Sequence, residues 1–296
     1  MHKKVLVTGS KGQLGLSLQK LSGEYKQFDF TFTDKEELDI SDKTQVINYV
    51  VNNQFDFIIN CAAYTAVDAA ETDVELADSI NHLSVAILAS VAKDTDAVFI
   101  HISTDYVFNG ETHLPYKETN KVSPKNVYGK TKLDGELAFK TYNPKGCVIR
   151  TSWVYSEYGN NFLKTMIRLG TERDELGIIF DQIGTPTYAL DLATSILSII
   201  SVPQNGSIFA SNDFEQKLFH FSNEGVCSWF DFAKAIFEVT DIKCIVKPIE
   251  TTDYPTAAAR PQYSVLNKKK IKQTFNLSIP YWKDSLILCI NNLQRN

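Results

Sequence analysis

A chain of 296 residues, 44% hydrophobic and 22% charged, is long enough to bury a full core, as one large domain or as two unequal lobes. Its net charge of −5, from 30 basic and 35 acidic residues dispersed along the chain, tells against a nucleic-acid protein that works by neutralising phosphates. Five scattered cysteines (Cys61, Cys147, Cys227, Cys244 and Cys289), none spaced as CxxC, tell against zinc and disulfide frameworks and fit a reducing cytoplasm.

The opening MHKKVLVTGS has too few apolar residues before Gly9 for a signal peptide and reads as a first strand over 5–8. It runs into GSKGQLG and a helix carrying Leu16 and Leu21. Residues 28–33 form a second strand ending at Asp34, 44–51 take helical spacing, and 55–60 form a third strand. Apolar steps of three and four from Leu76 to Val91 mark a long helix over 74–93. A strand over 98–103, a helix over 127–142 and a strand over 147–151 follow. This alternation, with continuous apolar strands such as VFIHIS, predicts an α/β chain built on a Rossmann-type doubly wound parallel sheet. Beyond residue 151 the rhythm loosens into helices over 161–173, 189–200 and 229–239 and a strand over 176–180. Residues 1–151 are therefore assigned to the sheet domain. Residues 152–296 mainly form a smaller α/β substrate lobe, partly interleaved with it. The basic run Lys268, Lys269 and Lys270 reads as a solvated helix start. No apolar run is expected to span a bilayer, the nearest being 196–200, so no membrane insertion is expected.

Gly9, Gly12 and Gly15 lie between the first strand and its helix. Glycines there let the backbone turn tightly and approach a pyrophosphate, while the helix N-terminus offers free N–H groups. The spacing is G-x-x-G-x-x-G rather than G-x-G-x-x-G, so the strand-before, helix-after context carries the reading. Asp34 follows about 20 residues later, where an acid binds an adenosine ribose and repels a 2′-phosphate, slightly favouring NADH; it also reads as a solvated strand end. Asp39 and Ile40 either flank the adenine or cap the helix starting near Lys43. Ala62, Ala63, Tyr64 and Thr65 end the third strand, where small residues admit a flat cofactor or pack helix to sheet.

Tyr128 and Lys132 are four apart on a helix and so share a face. An ammonium beside a phenol is expected to draw its pKa toward neutrality, as an acid/base needs, and can also bind a nicotinamide ribose. Such pairs are common on helix surfaces. The preceding strand end, with Ser103, Thr104 and Asp105, raises the functional reading: a hydroxyl at that edge can bond a substrate carbonyl beside the tyrosine.

With these motifs in place, the chain resembles the extended short-chain dehydrogenases, and within them the dTDP-4-dehydrorhamnose reductases. The likeness runs nearly the whole length, through GSKGQLG, INCAAYTAVDAAE, ISTDYVFNG, SPKNVYGKTKLDGE, IRTSWVY, GNNF, DQIGTPT, FSNEGVCSWFDFAKAI and TTDYPTAAARPQYSVL. It implies reduction of a sugar-nucleotide 4-keto group by NADH or NADPH. Tyr128 would be the proton donor, Lys132 the ribose ligand and Thr104 the group that polarises the keto oxygen. It further implies that Gly12, Gln13 and Leu14 touch the pyrophosphate, and that Asp39, Ile40, Ala63, Tyr64 and Thr65 line the dinucleotide cleft. Thr104, Asp105 and Trp153 would face the sugar, with Asn161 and Arg260 as diphosphate ligands; for Trp153 a core position, and for Arg260 a surface ion pair, are the competing readings. Some family members form magnesium-bridged homodimers through acidic residues. Here Leu190 and the acid-free NNLQRN end depart from that, so no metal is expected, and a homodimer stays open.

Two alternatives are weighed. A dehydratase or epimerase on the same scaffold is one, but dehydratases place a second acid where Tyr106 stands. The other is a non-catalytic regulator resembling the regulatory subunit of methionine adenosyltransferase, which the intact Thr104, Tyr128 and Lys132 disfavour.

Overall fold

The computed structural model describes residues 2–202 and 208–295. In chain order the first half contains β1 (Lys3–Thr8), α1 (Gln13–Ser22), β2 (Phe28–Thr33), α2 (Lys43–Asn53) and β3 (Phe57–Asn60). Then come α3 (Val74–Asp78), a π-helical turn (Ser79–Leu83), α4 (Ser84–Asp94), β4 (Val98–Thr104), α5 (Val127–Tyr142) and β5 (Gly146–Thr151). The second half contains β6 (Val154–Tyr155), α6 (Phe162–Glu172), β7 (Glu175–Ile179), β8 (Ile183–Gly184), β9 (Thr187–Tyr188), α7 (Ala189–Ser201) and α8 (Phe214–Lys217). It ends with β10 (Leu218–His220), β11 (Cys227–Ser228), α9 (Trp229–Thr240), β12 (Ile245–Ile249), α10 (Lys269–Phe275) and α11 (Trp282–Arg295).

Six strands form one parallel sheet in the order β10-β5-β4-β3-β1-β2. β1 pairs with β2 on one side and β3 on the other, so the winding reverses at β1 and opens a crevice beyond its C-terminal end. One face of the sheet packs on α1, α7 and α10 through Leu14, Leu18, Ile196, Ile199 and Ile271. The other packs on α2, α4 and α5 through Val46, Val50, Val85, Leu88 and Phe139. A separate core around Tyr155, Leu163, Met166, Phe232, Trp282 and Leu286 holds the smaller lobe together.

β10 joins the six-stranded sheet and α7 packs on its face. Two readings change here. Lys268 is buried, with its ammonium 3.2 Å from the Asn223 carbonyl and 3.6 Å from Glu224; an internal carbonyl and carboxylate replace the expected solvent. The helical segment Val74–Asp94 is, by length and composition, apolar enough to cross a bilayer. In this fold it is the crossover between β3 and β4, with Val85, Leu88 and Ala89 packed into the core between sheet and helices.

Candidate active site

The glycine turn is built as a cradle. Gly9 has φ +65°, and a Cβ there would lie 2.5 Å from the Ala62 nitrogen, so only glycine lets the turn meet the end of β3. A Cβ on Gly15 would come equally close, 2.5 Å from the Gly9 carbonyl oxygen. Gly12 caps α1 with no side-chain hydrogen bond, which leaves the first amides of the helix free to receive an anion.

Gly9, Gly12, Asp34, Asp39, Ile40, Ala62 and Ala63 converge on one cleft of about 280 Å³, joined by Lys35, Leu38, Leu76 and Ile80. Leu76 is 49% exposed there, and with Leu38 and Ile40 it offers apolar walls for a planar ring. The chain arriving from β2 is pinned by Asp34, whose carboxylate accepts from the Lys11 and Lys35 amides at 3.0 and 2.9 Å. Asp39 does not cap α2: Asp42 does, accepting from the Gln45 amide, while Asp39 holds the Ser41 amide and hydroxyl, bonds that keep its carboxyl below the usual range.

Gln13 reaches away from the cleft floor to Ser156 and Asn161, and Leu14 is buried in the core. Tyr64 donates its amide to Asn81 Oδ1 at 2.9 Å and its hydroxyl to Asp73 at 2.7 Å, and Thr65 lies exposed beyond it. Asn81, on the π turn, also donates to the Tyr64 carbonyl and the Thr131 hydroxyl, tying the cleft loop to α5. Nothing in the sequence marked Asn81, because its spacing is that of an ordinary helix.

Asn126 caps α5, accepting from the Gly129 amide at 2.7 Å, and this starts the helix one residue before Tyr128. The Thr104 hydroxyl stands beside the Tyr128 phenol and donates to Asp105, and Tyr106 packs edge-on to that ring at 5.5 Å. Lys132 is buried, its ammonium 2.7 Å from the Ile102 carbonyl. Burial pushes the Tyr128 phenol up to about 12, against the expected depression, with the Thr104 hydrogen bond pulling the other way. Burial also draws Lys132 down to about 8, opposed by Glu136. Ser103 is the structural member of the pair: its hydroxyl, 2.5 Å from Glu136, joins a buried pair in which Arg150 holds that carboxylate in a bidentate grip.

A second cavity, about 870 Å³, opens beside Tyr106 between the two lobes, lined by Asp68, Phe162, Gln182, Trp229, Tyr254 and Arg260. Trp229, missed in the sequence, presents its ring there. Trp153 stacks behind it at 3.5 Å and 9°, in a left-handed conformation (φ +49°) that brings its indole against Gly184. Asp105 is 1% exposed and accepts from the Thr104 hydroxyl at 3.0 Å. Asn161 caps α6 and donates to Gln13, Ser156 and Tyr158, bonds that fix it to the glycine turn and away from that cavity. Arg260 does line the cavity, and it grips Asp68 through both guanidinium nitrogens at 3.0 and 2.6 Å. Asp191, the acid after Leu190, is held internally by Ser285 and Asn223.

A glycine turn at the switch point, with threonine, tyrosine and lysine gathered at the same sheet edge, defines a nicotinamide-dependent oxidoreductase of the extended short-chain dehydrogenase type. Residues 3–295 match the family model described as the RmlD substrate binding domain. The chain belongs to that family, the dTDP-4-dehydrorhamnose reductases. It is 42% identical over 289 residues to the dTDP-4-dehydrorhamnose reductase of Aggregatibacter actinomycetemcomitans, covering 96% of this chain and 97% of that one. Among solved structures, the reductase of Clostridium acetobutylicum superposes with a TM-score of 0.90 at 42% identity, covering 98% and 99% of the two chains. The reductase of Bacillus anthracis, solved in complex with NADP, superposes at 0.89 with 39% identity, covering 99% and 100%.

Proposed function

We propose that this chain reduces the 4-keto group of dTDP-4-dehydro-L-rhamnose to dTDP-L-rhamnose, supplying an activated deoxysugar for surface polysaccharide. The observation that carries the reading is Thr104 at the end of β4 beside the Tyr128 phenol, with the buried Lys132 ammonium anchored on the Ile102 carbonyl of the same strand. NADPH or NADH supplies the hydride. The cradle at Gly9 and Gly15 and the uncapped start of α1 fit a dinucleotide. The amides of Gly12, Gln13 and Leu14 would hold its pyrophosphate. Asp34, Asp39, Ile40, Ala62 and Ala63 would hold the adenosine, Tyr64 and Thr65 would continue the cleft, and Lys132 would hold the nicotinamide ribose.

Thr104 and Tyr128 then act on the substrate ketone: Thr104 polarises its oxygen, and Tyr128 donates the proton as charge develops there. Arg260 would bind the diphosphate from the cavity wall, and Trp153 would back Trp229 along the sugar-nucleotide path. Asn161 would act indirectly, by positioning the glycine turn. Tyr106 in place of a second acid favours simple reduction over dehydration. Residues 1–151 would supply the dinucleotide side and most of residues 152–296 the sugar-nucleotide side. The free cysteines fit work in the cytoplasm, and exposed Leu83 and Leu137 give a homodimer an apolar face to use. The test is oxidation of NADPH and NADH by the purified chain over a panel of 4-keto sugar nucleotides. Activity confined to keto sugars other than the rhamnose precursor overturns the assignment.

A further inference from the structure

Two rungs hold the end of β4 against α5. Alternation along the strand turns Phe99 and Ser103 toward that helix, where Phe99 stacks on Phe139 at 5.6 Å. One rung runs from the Lys132 ammonium to the Ile102 carbonyl at 2.7 Å, and the other from the Ser103 hydroxyl to Glu136 Oε1 at 2.5 Å. Lys132 and Glu136 are four apart on one face of α5, so rungs one helical turn apart grip consecutive strand residues. Thr104 is the next residue of the strand, and Tyr128 lies one turn of α5 before Lys132. Glu136 is itself immobilised. Arg150, on β5, donates to its Oε1 from Nε at 2.8 Å and to its Oε2 from Nη2 at 2.6 Å, with both side chains enclosed. The third guanidinium nitrogen faces His220 Nε2 on β10 at 3.5 Å, and the guanidinium lies 5.0 Å over the Phe108 ring. Every nitrogen of Arg150 and both oxygens of Glu136 thus have partners, which leaves the carboxylate one position to hold.

A buried ion pair stabilises a fold little by itself, since the desolvation of both charges offsets their attraction. What this one supplies is a fixed acceptor. We propose that Ser103 and Glu136 are positioning residues of the reductase site: the carboxylate, locked by Arg150, holds Ser103 so that Thr104 is presented beside the Tyr128 phenol to the keto oxygen. The inference deepens the reductase reading and rests on it. Ser103 and Glu136 are 3% and 1% exposed, so they act through Thr104, one backbone residue away, and not on the substrate. A ketone oxygen gains charge in the transition state, and donors aimed at it must already be in place as that charge develops. A displaced donor therefore loses more in the transition state than in the ground state, which lowers kcat and leaves binding alone. Without Glu136 as acceptor, the strand end keeps the Lys132 rung and loses the one that adjoins Thr104.

The experiment is steady-state kinetics of wild type, Ser103→Ala and Ser103→Thr with a 4-keto sugar nucleotide and NADPH, beside NADPH titration and thermal melting. Ser103 is the residue to change, because Glu136→Gln would leave Arg150 buried opposite a neutral partner and unsettle the fold. Ser103→Ala removes the rung and little else. It is expected to lose about 10- to 100-fold in kcat, with KM and NADPH affinity within about twofold of wild type. Ser103→Thr keeps the hydroxyl and is expected to recover most of that loss. If Ser103→Ala does not fold, Ser103→Cys, of similar size with a weaker donor, must show the same fall in kcat at constant KM. A folded Ala or Cys variant with wild-type kcat makes the network a matter of stability alone and overturns the positioning role. So does a fall in kcat that Ser103→Thr leaves unrestored. A wild type inactive on every 4-keto sugar nucleotide overturns the reductase reading and the positioning role with it.

Discussion

Tyr128, held protonated by burial, is in the form an acid needs when a ketone is reduced, since it must arrive with a proton to give. Tyr128→Phe removes that proton and keeps the ring against Tyr106, so turnover should fall by about 10²–10⁴-fold with NADPH affinity near wild type. Stopped-flow or steady-state rates beside a fluorescence titration check both halves. Lys132 carries the opposite pH logic. Its ammonium is lost as pH rises through about 8, so cofactor affinity should weaken above that pH in wild type and become flat in Lys132→Ala, at a lower level throughout. An affinity that ignores pH in wild type would remove Lys132 from the cofactor site. Beside the glycine turn, Asp34 holds two backbone amides of the loop, and Lys11 and Lys35 stand beside it. Exposed charges of both signs are screened by solvent, so selectivity between NADH and NADPH should be modest. Asp34→Ala should move the ratio of kcat/KM values toward NADPH, by less than about tenfold.

The helix that carries Tyr128 and Lys132 was legible from end to end, because its limits are chemical: Asn126 caps its start, and Asn143, in a left-handed conformation before Pro144, stops it. Its seat was not legible. A Cβ on Gly135 would collide with the Asn81 carbonyl, and one on Gly129 with the Tyr106 carbonyl, so both glycines exist to let α5 approach its neighbours. Those contacts join segments far apart in sequence, and a glycine in a helix does not announce its partner. Gly135→Ala should therefore cost about 1–3 kcal/mol of stability by overpacking, although alanine is the better helix former, and urea unfolding measures it. The same long-range logic explains β10 and Lys268. LFH is too short to read as a strand alone, and only its pairing with β5 reveals it. Lys268 looked solvated because charge runs usually are, whereas the chain folds Asn223 and Glu224 onto it. At the site, the glycine turn and Thr104, Tyr128 and Lys132 were readable from residue type and order. The hydrogen-bond partners of Asp105 and Asn161 and the stacking of Trp153 on Trp229 were not, because each joins segments far apart in sequence or depends on which wall a side chain packs into.

Across the whole molecule the two lobes meet around the larger cavity, and one ion pair on its rim joins an early segment of the chain to a late one. Arg260 grips Asp68 with a bidentate geometry, the Ala258 amide donates to the same carboxylate at 3.0 Å, and Asn126 holds the Ala259 carbonyl at 2.7 Å. The loop of residues 254–260 is thus fastened both to the segment after β3 and to the cap of α5. If Arg260 serves the diphosphate, it must share or exchange its carboxylate partner when substrate arrives, and Asp68 sets the strength of that competition. The pair is partly exposed, with side-chain accessibilities of 22% and 45%, so solvent screens it and its worth is at most about 1 kcal/mol. Asp68→Asn keeps the shape and removes the charge. It should tighten dTDP binding by up to about fivefold, the equivalent of that energy, while Arg260→Ala weakens it. Raised salt should narrow the difference between wild type and Asp68→Asn, because both the pair and the diphosphate contact are screened. Titration calorimetry with dTDP on the three proteins decides the matter. Equal affinities for wild type and Asp68→Asn would mean that Arg260 reaches the nucleotide without leaving Asp68, or that it does not reach it at all, and the Arg260→Ala measurement separates those two cases.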